Sequence, residues 1–121
     1  MEYVISIIKV VIALSIINVW LISFNKPSVW RGGDAKTMKE EFEVYGLPVW
    51  LMYIVGGLKI LFSLGLLASI YFTQLEVPSA YGIAILMLGA IIMHLKISDP
   101  IKKSFPAFTF LVLSLIVALV Q

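Results

Sequence analysis

The 121-residue chain has no cysteine and a single histidine. Without thiols it can form no disulfide, hold no thiolate-bound metal and run no dithiol redox cycle, so any electron transfer needs a bound cofactor or a partner. One histidine with one nearby aspartate is too little for a metal site or a catalytic triad. Charge is also scarce. Only 13% of the residues are charged against 61% hydrophobic, which excludes an ordinary soluble domain. The lipid bilayer is the expected surrounding, and nucleic acid is not an expected partner.

What is present is a series of long apolar runs. The most informative is Val49 to Phe72, VWLMYIVGGLKILFSLGLLASIYF, interrupted by one cation, Lys59, near its middle. At about 1.5 Å per residue such a run crosses a hydrocarbon layer of roughly 30 Å. Lys59 then lies near the midplane, where a lysine costs about 2.5 to 3.5 kcal/mol on insertion scales. A charge at that depth faces the bundle interior or a wet cavity, so Lys59 is the first candidate site residue. Its partner is open between Glu41, Glu43, Asp99 and a backbone carbonyl. Gly56, Lys59 and Ser63 fall on one helical face, and the structural alternative for Gly56 and Ser63 is close helix packing.

Three other runs complete a four-transmembrane-helix bundle of the all-α class, read as one domain over 1–121 with spans at about 3–24, 49–72, 80–95 and 105–120. The last two are short for a bilayer and call for snorkelling lysines. In the first, Lys9 is near enough to the end to snorkel as well, and Asn18, half a turn out of phase with it, reads as an interhelical hydrogen bonder. The reading of this run as a cleaved signal peptide is disfavoured, because no cleavage site of small residues follows its apolar core. In the third span Gly82 and Gly89 are seven residues apart and predict a packing seam.

The connection Asn25 to Pro48, NKPSVWRGGDAKTMKEEFEVYGLP, differs abruptly in composition. Asp34 as cap, Gly46 as the left-handed terminator and Pro48 as a stop predict a short helix at about 35–45. Ala35, Met38, Phe42 and Tyr45 form its apolar stripe. This is an amphipathic interfacial helix that either lies on headgroups or covers the bundle.

His94, Lys96 and Asp99 cluster at the end of the third span, with Asp99-Pro100 also a turn former. Lysine and arginine concentrate in the first and third loops (Lys26, Arg31, Lys36, Lys39, Lys96, Lys102, Lys103), so those loops are expected in the cytoplasm and both termini outside. The predicted result is a cytoplasmic cleft containing Lys59, His94, Asp99, Tyr45 and, from the second span, Tyr53.

The segments Gly46-Leu47-Pro48, Gly56-Gly57-Leu58-Lys59-Ile60-Leu61, Tyr81-Gly82, and Gly89-Ala90 through His94 to Asp99-Pro100 and Pro106-Ala107 resemble the DoxX-like family of small four-helix membrane proteins. Members of the wider family tend to place a glutamate where this chain has Lys59, so an acid-based role is not carried over. Related proteins are described as subunits of a thiosulfate:quinone oxidoreductase, as membrane partners in oxidoreductase assemblies and as a receptor chaperone. The resemblance therefore implies an accessory or assembly subunit of a membrane complex, associating with other membrane proteins or with itself, a role that needs no chemistry from this chain. The alternative is a quinone- or lipid-binding protein using Lys59 and His94, with quinone as the candidate cofactor. A small transporter or channel ranks third, because such paths carry several polar rings or broken helices.

Overall fold

The computed structural model describes residues 2–22, 32–33 and 35–120. They form helices α1 (Glu2–Ile17), α2 (Met38–Tyr45), α3 (Val49–Ala68), α4 (Glu76–Lys96) and α5 (Phe105–Leu119). A π-helical turn, Asn18–Ile22, extends α1, and single 3₁₀ turns, Thr73–Leu75 and Ile101–Ser104, precede α4 and α5. No strand occurs among the described residues. Four segments are long and apolar enough to span a bilayer: Tyr3–Ile22, Val49–Ala68, Thr73–Lys96 and Ile101–Leu119. In lipid, backbone polar groups find partners only within the segment, which is why these runs are helical throughout.

The third and fourth spans are longer than expected because their flanking turns wind into them. Pro78 sits within the first turn of α4, where its missing N–H is no loss, so the helix begins at Glu76 and not at 80. The second span, by contrast, stops at Ala68. Ser69 closes it with its hydroxyl donating to the Leu66 carbonyl at 2.6 Å. The described part of the first span ends at Ile22, and Phe24 lies outside the described residues.

The four spans form a ring in which α1 packs on α3 and α5, and α4 packs on α3 and α5. Small residues set the close approaches. A Cβ on Gly56 would lie 2.5 Å from the Trp20 ring, and one on Gly82 would lie 2.6 Å from Phe62. Ser63 is fully buried and donates to the Lys59 carbonyl at 2.7 Å. The seam expected through Gly82 and Gly89 does not reach Gly89, because a Cβ there would meet nothing within 4 Å.

The buried stripe that runs along α1 into the π-turn is Ile5, Lys9, Ile12, Ile16 and Trp20, so a lysine occupies a core position. Lys9 does not snorkel. Its ammonium pairs at 2.7 Å with Glu76, the first residue of α4, and both side chains are almost wholly buried, at 6% and 11% exposure. Glu76 at the first residue of α4 also sits well against the positive end of the helix dipole. Outward-facing side chains are mainly large and apolar, including Ile7, Leu14, Leu61, Ile85 and Ile92, as a lipid-facing surface requires.

Candidate functional site

The site lies at the end of the bundle covered by α2. This helix is too short to persist alone. It starts not at 35 but at Met38, because Thr37 is the cap: its Oγ1 accepts from the Glu40 N–H at 3.2 Å and donates to Glu40 Oε2 at 3.2 Å. Asp34, the expected cap, lies outside the described residues. At the other end Gly46 takes φ 77°, and the Leu47 N–H reaches the Phe42 carbonyl at 2.9 Å, a Schellman closure that turns the chain directly into α3. Met38, Phe42 and Tyr45 are buried, so the apolar stripe packs over the bundle as a cover.

Beneath it is a half-open cavity of about 660 Å³, lined by the end of α1, the π-turn, α2, α3, α4 and the start of α5. That volume is within the usual range for small-molecule sites. Its walls are largely apolar, with Val55, Met93 and Phe110 among them, while Glu41, Tyr45, Lys59, His94 and Lys103 supply the polar surface. Asn18 also lines it. Gly89 lines it too, so the missing side chain leaves room in the cavity and is not a packing device.

Lys59 enters from α3 with its ammonium 5.3 Å from the centre of the Trp20 ring, a cation–π arrangement. The π-turn and Gly56 together make this contact. The turn carries Trp20 on the buried face, and Gly56, one turn before Lys59, leaves the space in which the indole sits. Of the four proposed partners, Glu41 is the carboxylate acting electrostatically on Lys59. Glu43 is exposed, and Asp99 is engaged elsewhere. Among the described residues no protein acceptor takes a hydrogen bond from the Lys59 ammonium.

A second set of contacts runs from the cavity to the α4–α5 turn. The Tyr45 hydroxyl donates to Glu41 Oε1 at 2.7 Å and lies 3.4 Å from His94 Nε2, the two rings meeting edge to face. His94 Nδ1 is 2.8 Å from Asp99 Oδ2. The chain reversal after α4 brings that carboxylate back. Ser98 adopts φ 57°, and the Asp99 N–H bonds the His94 carbonyl at 3.0 Å, folding Asp99 beside the imidazole of the same helix. The Gly33 N–H donates to both Asp99 oxygens, at 3.1 and 3.3 Å, while Lys103 bonds the Gly33 carbonyl and Lys96 bonds that of Tyr45 at 3.0 Å. The cover is thereby tied to α4 and to the turn before α5.

The structure thus brings Lys59, Tyr45 and His94 to one cavity, with Asp99 behind His94. It does not bring Tyr53, which is 67% exposed on the outer face of α3, one residue past the buried Met52. Trp20, Phe42 and Lys103 line the cavity as well without having been expected at the site, and Glu41 was expected only as one of the open partners of Lys59. Glu40 and Glu43 are exposed, whereas Glu41, one turn before Tyr45, follows it inward. Among the described residues no three His, Asp or Glu side chains converge as a metal site.

These features define a polytopic membrane protein with a polar-ended, half-open cavity beneath an amphipathic helix. Residues 16–117 match the model of the DoxX-like family, so the chain belongs to the DoxX-like family of membrane proteins. No curated protein and no solved structure matches it.

Proposed function

We propose that this DoxX-like protein binds a small amphipathic molecule of the quinone or lipid class within its membrane domain. The observation that carries the reading is the cavity of about 660 Å³ beneath α2, apolar along its walls and polar where Lys59, Glu41, Tyr45 and His94 meet. A quinone ring or lipid tail fits the apolar part, and a carbonyl or anionic oxygen can accept from Lys59. The half-buried ammonium has three donors, and among the described residues its one side-chain contact is the Trp20 ring, so it can donate to a ligand. An accessory role in a membrane complex, which the resemblance implies, would use an outer surface, and the outward residues here are those that lipid accepts. The cavity is the feature that lipid contact does not explain. In this proposal α2 and the His94 end face the cytoplasm, since Lys36, Lys39, Lys96, Lys102 and Lys103 all belong to that end.

The test is saturable binding of decylubiquinone to the purified protein in nanodiscs, followed by tryptophan quenching. Gly89→Leu should fill the cavity without disturbing packing, because its side chain grows into open space. It is expected to abolish binding in a folded protein. Lys59→Met should weaken binding by about tenfold, the loss of one hydrogen bond to a charged group. Binding unaffected by both changes would overturn the proposal.

A further inference from the structure

The half-open side of the cavity lies where α3 and α4 part. These two helices are antiparallel neighbours, and two close approaches fix their register: a Cβ on Gly65 would collide with the Ser79 hydroxyl, and one on Gly82 would lie 2.6 Å from the Phe62 ring. Continued turn by turn, the same register sets Lys59 against Ile85, Val55 against Gly89 and Leu51 against Met93. All six of these residues line the cavity. Gly89 is seven residues beyond Gly82 on the same face of α4, yet a Cβ there would meet nothing within 4 Å among the described residues. The helices therefore touch at Phe62 and Gly82 and stand apart from Ile85 to Met93, a length of about 12 Å at 1.5 Å per residue. Resting on the binding role proposed above, we infer that this gap is a window onto the bilayer, and that the ligand is a membrane-resident molecule whose polar head lies at Lys59 and whose long tail leaves between α3 and α4.

The rim is built for contact with lipid chains. Both helices belong to membrane-spanning segments, so the gap opens onto hydrocarbon and not onto water. Ile85 lines the cavity and is at the same time 69% exposed on the outside of the bundle, as a residue on the edge of an opening must be. Leu51, Val55 and Met93 are half-buried along the same edge. Apart from Lys59 the rim is apolar, and a tail passing through it exchanges one apolar surrounding for another, at no hydrophobic cost. Tail length beyond the cavity is then free, while the head is selected at Lys59.

The opposite route, from water, is obstructed. The Lys96 ammonium ties the end of α2 to α4 through the Tyr45 carbonyl at 3.0 Å. Asp99 accepts from the Gly33 N–H at 3.1 and 3.3 Å, and Lys103 donates to the Gly33 carbonyl, which ties the segment before α2 to the α4–α5 turn. A ligand arriving from that side has these contacts to break. One arriving through the window has none, and it meets Lys59 at the inner end of the gap.

The test uses the wild-type protein in nanodiscs and compares decylubiquinone with ubiquinone-10, which has the same head and a tail far too long for a cavity of about 660 Å³. At equal mole fraction in the lipid, ubiquinone-10 is expected to displace decylubiquinone with an apparent affinity within about threefold of that of decylubiquinone itself. A decylubiquinone analogue with a diazirine at the end of its tail locates the exit. Labelling that excess decylubiquinone suppresses is expected on the outer side of the α3–α4 gap, at Ile85 above all. Decylubiquinone binding that ubiquinone-10 does not displace overturns the inference. So does suppressible labelling confined to the cavity interior, or placed at Val19 of the π-turn or Phe110 of α5. Each of these results leaves the cavity role standing with the ligand held or admitted in another way. Absence of saturable decylubiquinone binding overturns the cavity role and the inference together.

Discussion

Replacing Lys9 by methionine should destabilise the bundle more than any other single change of similar volume. The pair with Glu76 is 2.7 Å long and nearly buried, so at an effective dielectric of about 20 the attraction is roughly 6 kcal/mol. Desolvation of the two ions offsets most of this, at several kcal/mol per ion, and the intact pair contributes little net stability. Its removal is different, because Lys9→Met strands the Glu76 carboxylate at the start of α4 beside apolar neighbours. The expected loss is about 3 to 5 kcal/mol, the usual penalty for breaking a buried pair from one side. Lys9→Met with Glu76→Gln should recover most of it and fall within about 1 kcal/mol of wild type, a recovery of about 2 to 4 kcal/mol relative to Lys9→Met alone. The assay is reversible unfolding in mixed micelles, monitored by helix content, for both single variants and the double. A loss below about 1 kcal/mol for Lys9→Met alone would refute the reasoning, since the lysine would then be reaching headgroup water and not Glu76.

Gly56→Val would drive a side chain into the Trp20 ring, and overpacking of this kind costs about 1 to 3 kcal/mol, seen as lower thermal stability with a changed tryptophan emission. Ser98→Gly should raise stability by about 1 kcal/mol, because a left-handed residue with a Cβ is strained, and unchanged unfolding would show that Ser98 is not held at its φ of 57° in the protein. Thr37→Ala removes the cap of α2 and should weaken its docking by about 0.5 to 2 kcal/mol, read as faster amide exchange over Met38–Tyr45 than over α3.

Much of the architecture was legible because the physics that sets it is local. Apolar runs of sufficient length predict spans, and Gly46 followed by Pro48 marks the end of α2 regardless of what surrounds it. His94 and Asp99 are five residues apart, so their meeting needs only the turn at Ser98. Span boundaries shifted where a polar turn could wind into a helix, as Glu76 to Ser79 did, since the tolerance of Pro78 depends on its place in the first turn.

The sequence by itself therefore determines that the chain is a four-span membrane protein with a short amphipathic helix after the first span, and that Lys59 needs company inside it. Only the tertiary structure decides which company. In a soluble helix the polar residues reveal the buried face, but in a membrane both faces are apolar and the pattern is silent. Nothing local distinguishes Lys9 as a core residue, Tyr53 as an outward one or Gly89 as a cavity wall. The meetings of Lys9 with Glu76, Trp20 with Lys59 and Tyr45 with His94 join residues far apart in the chain. They arise only when the four spans close their ring and α2 folds over its end.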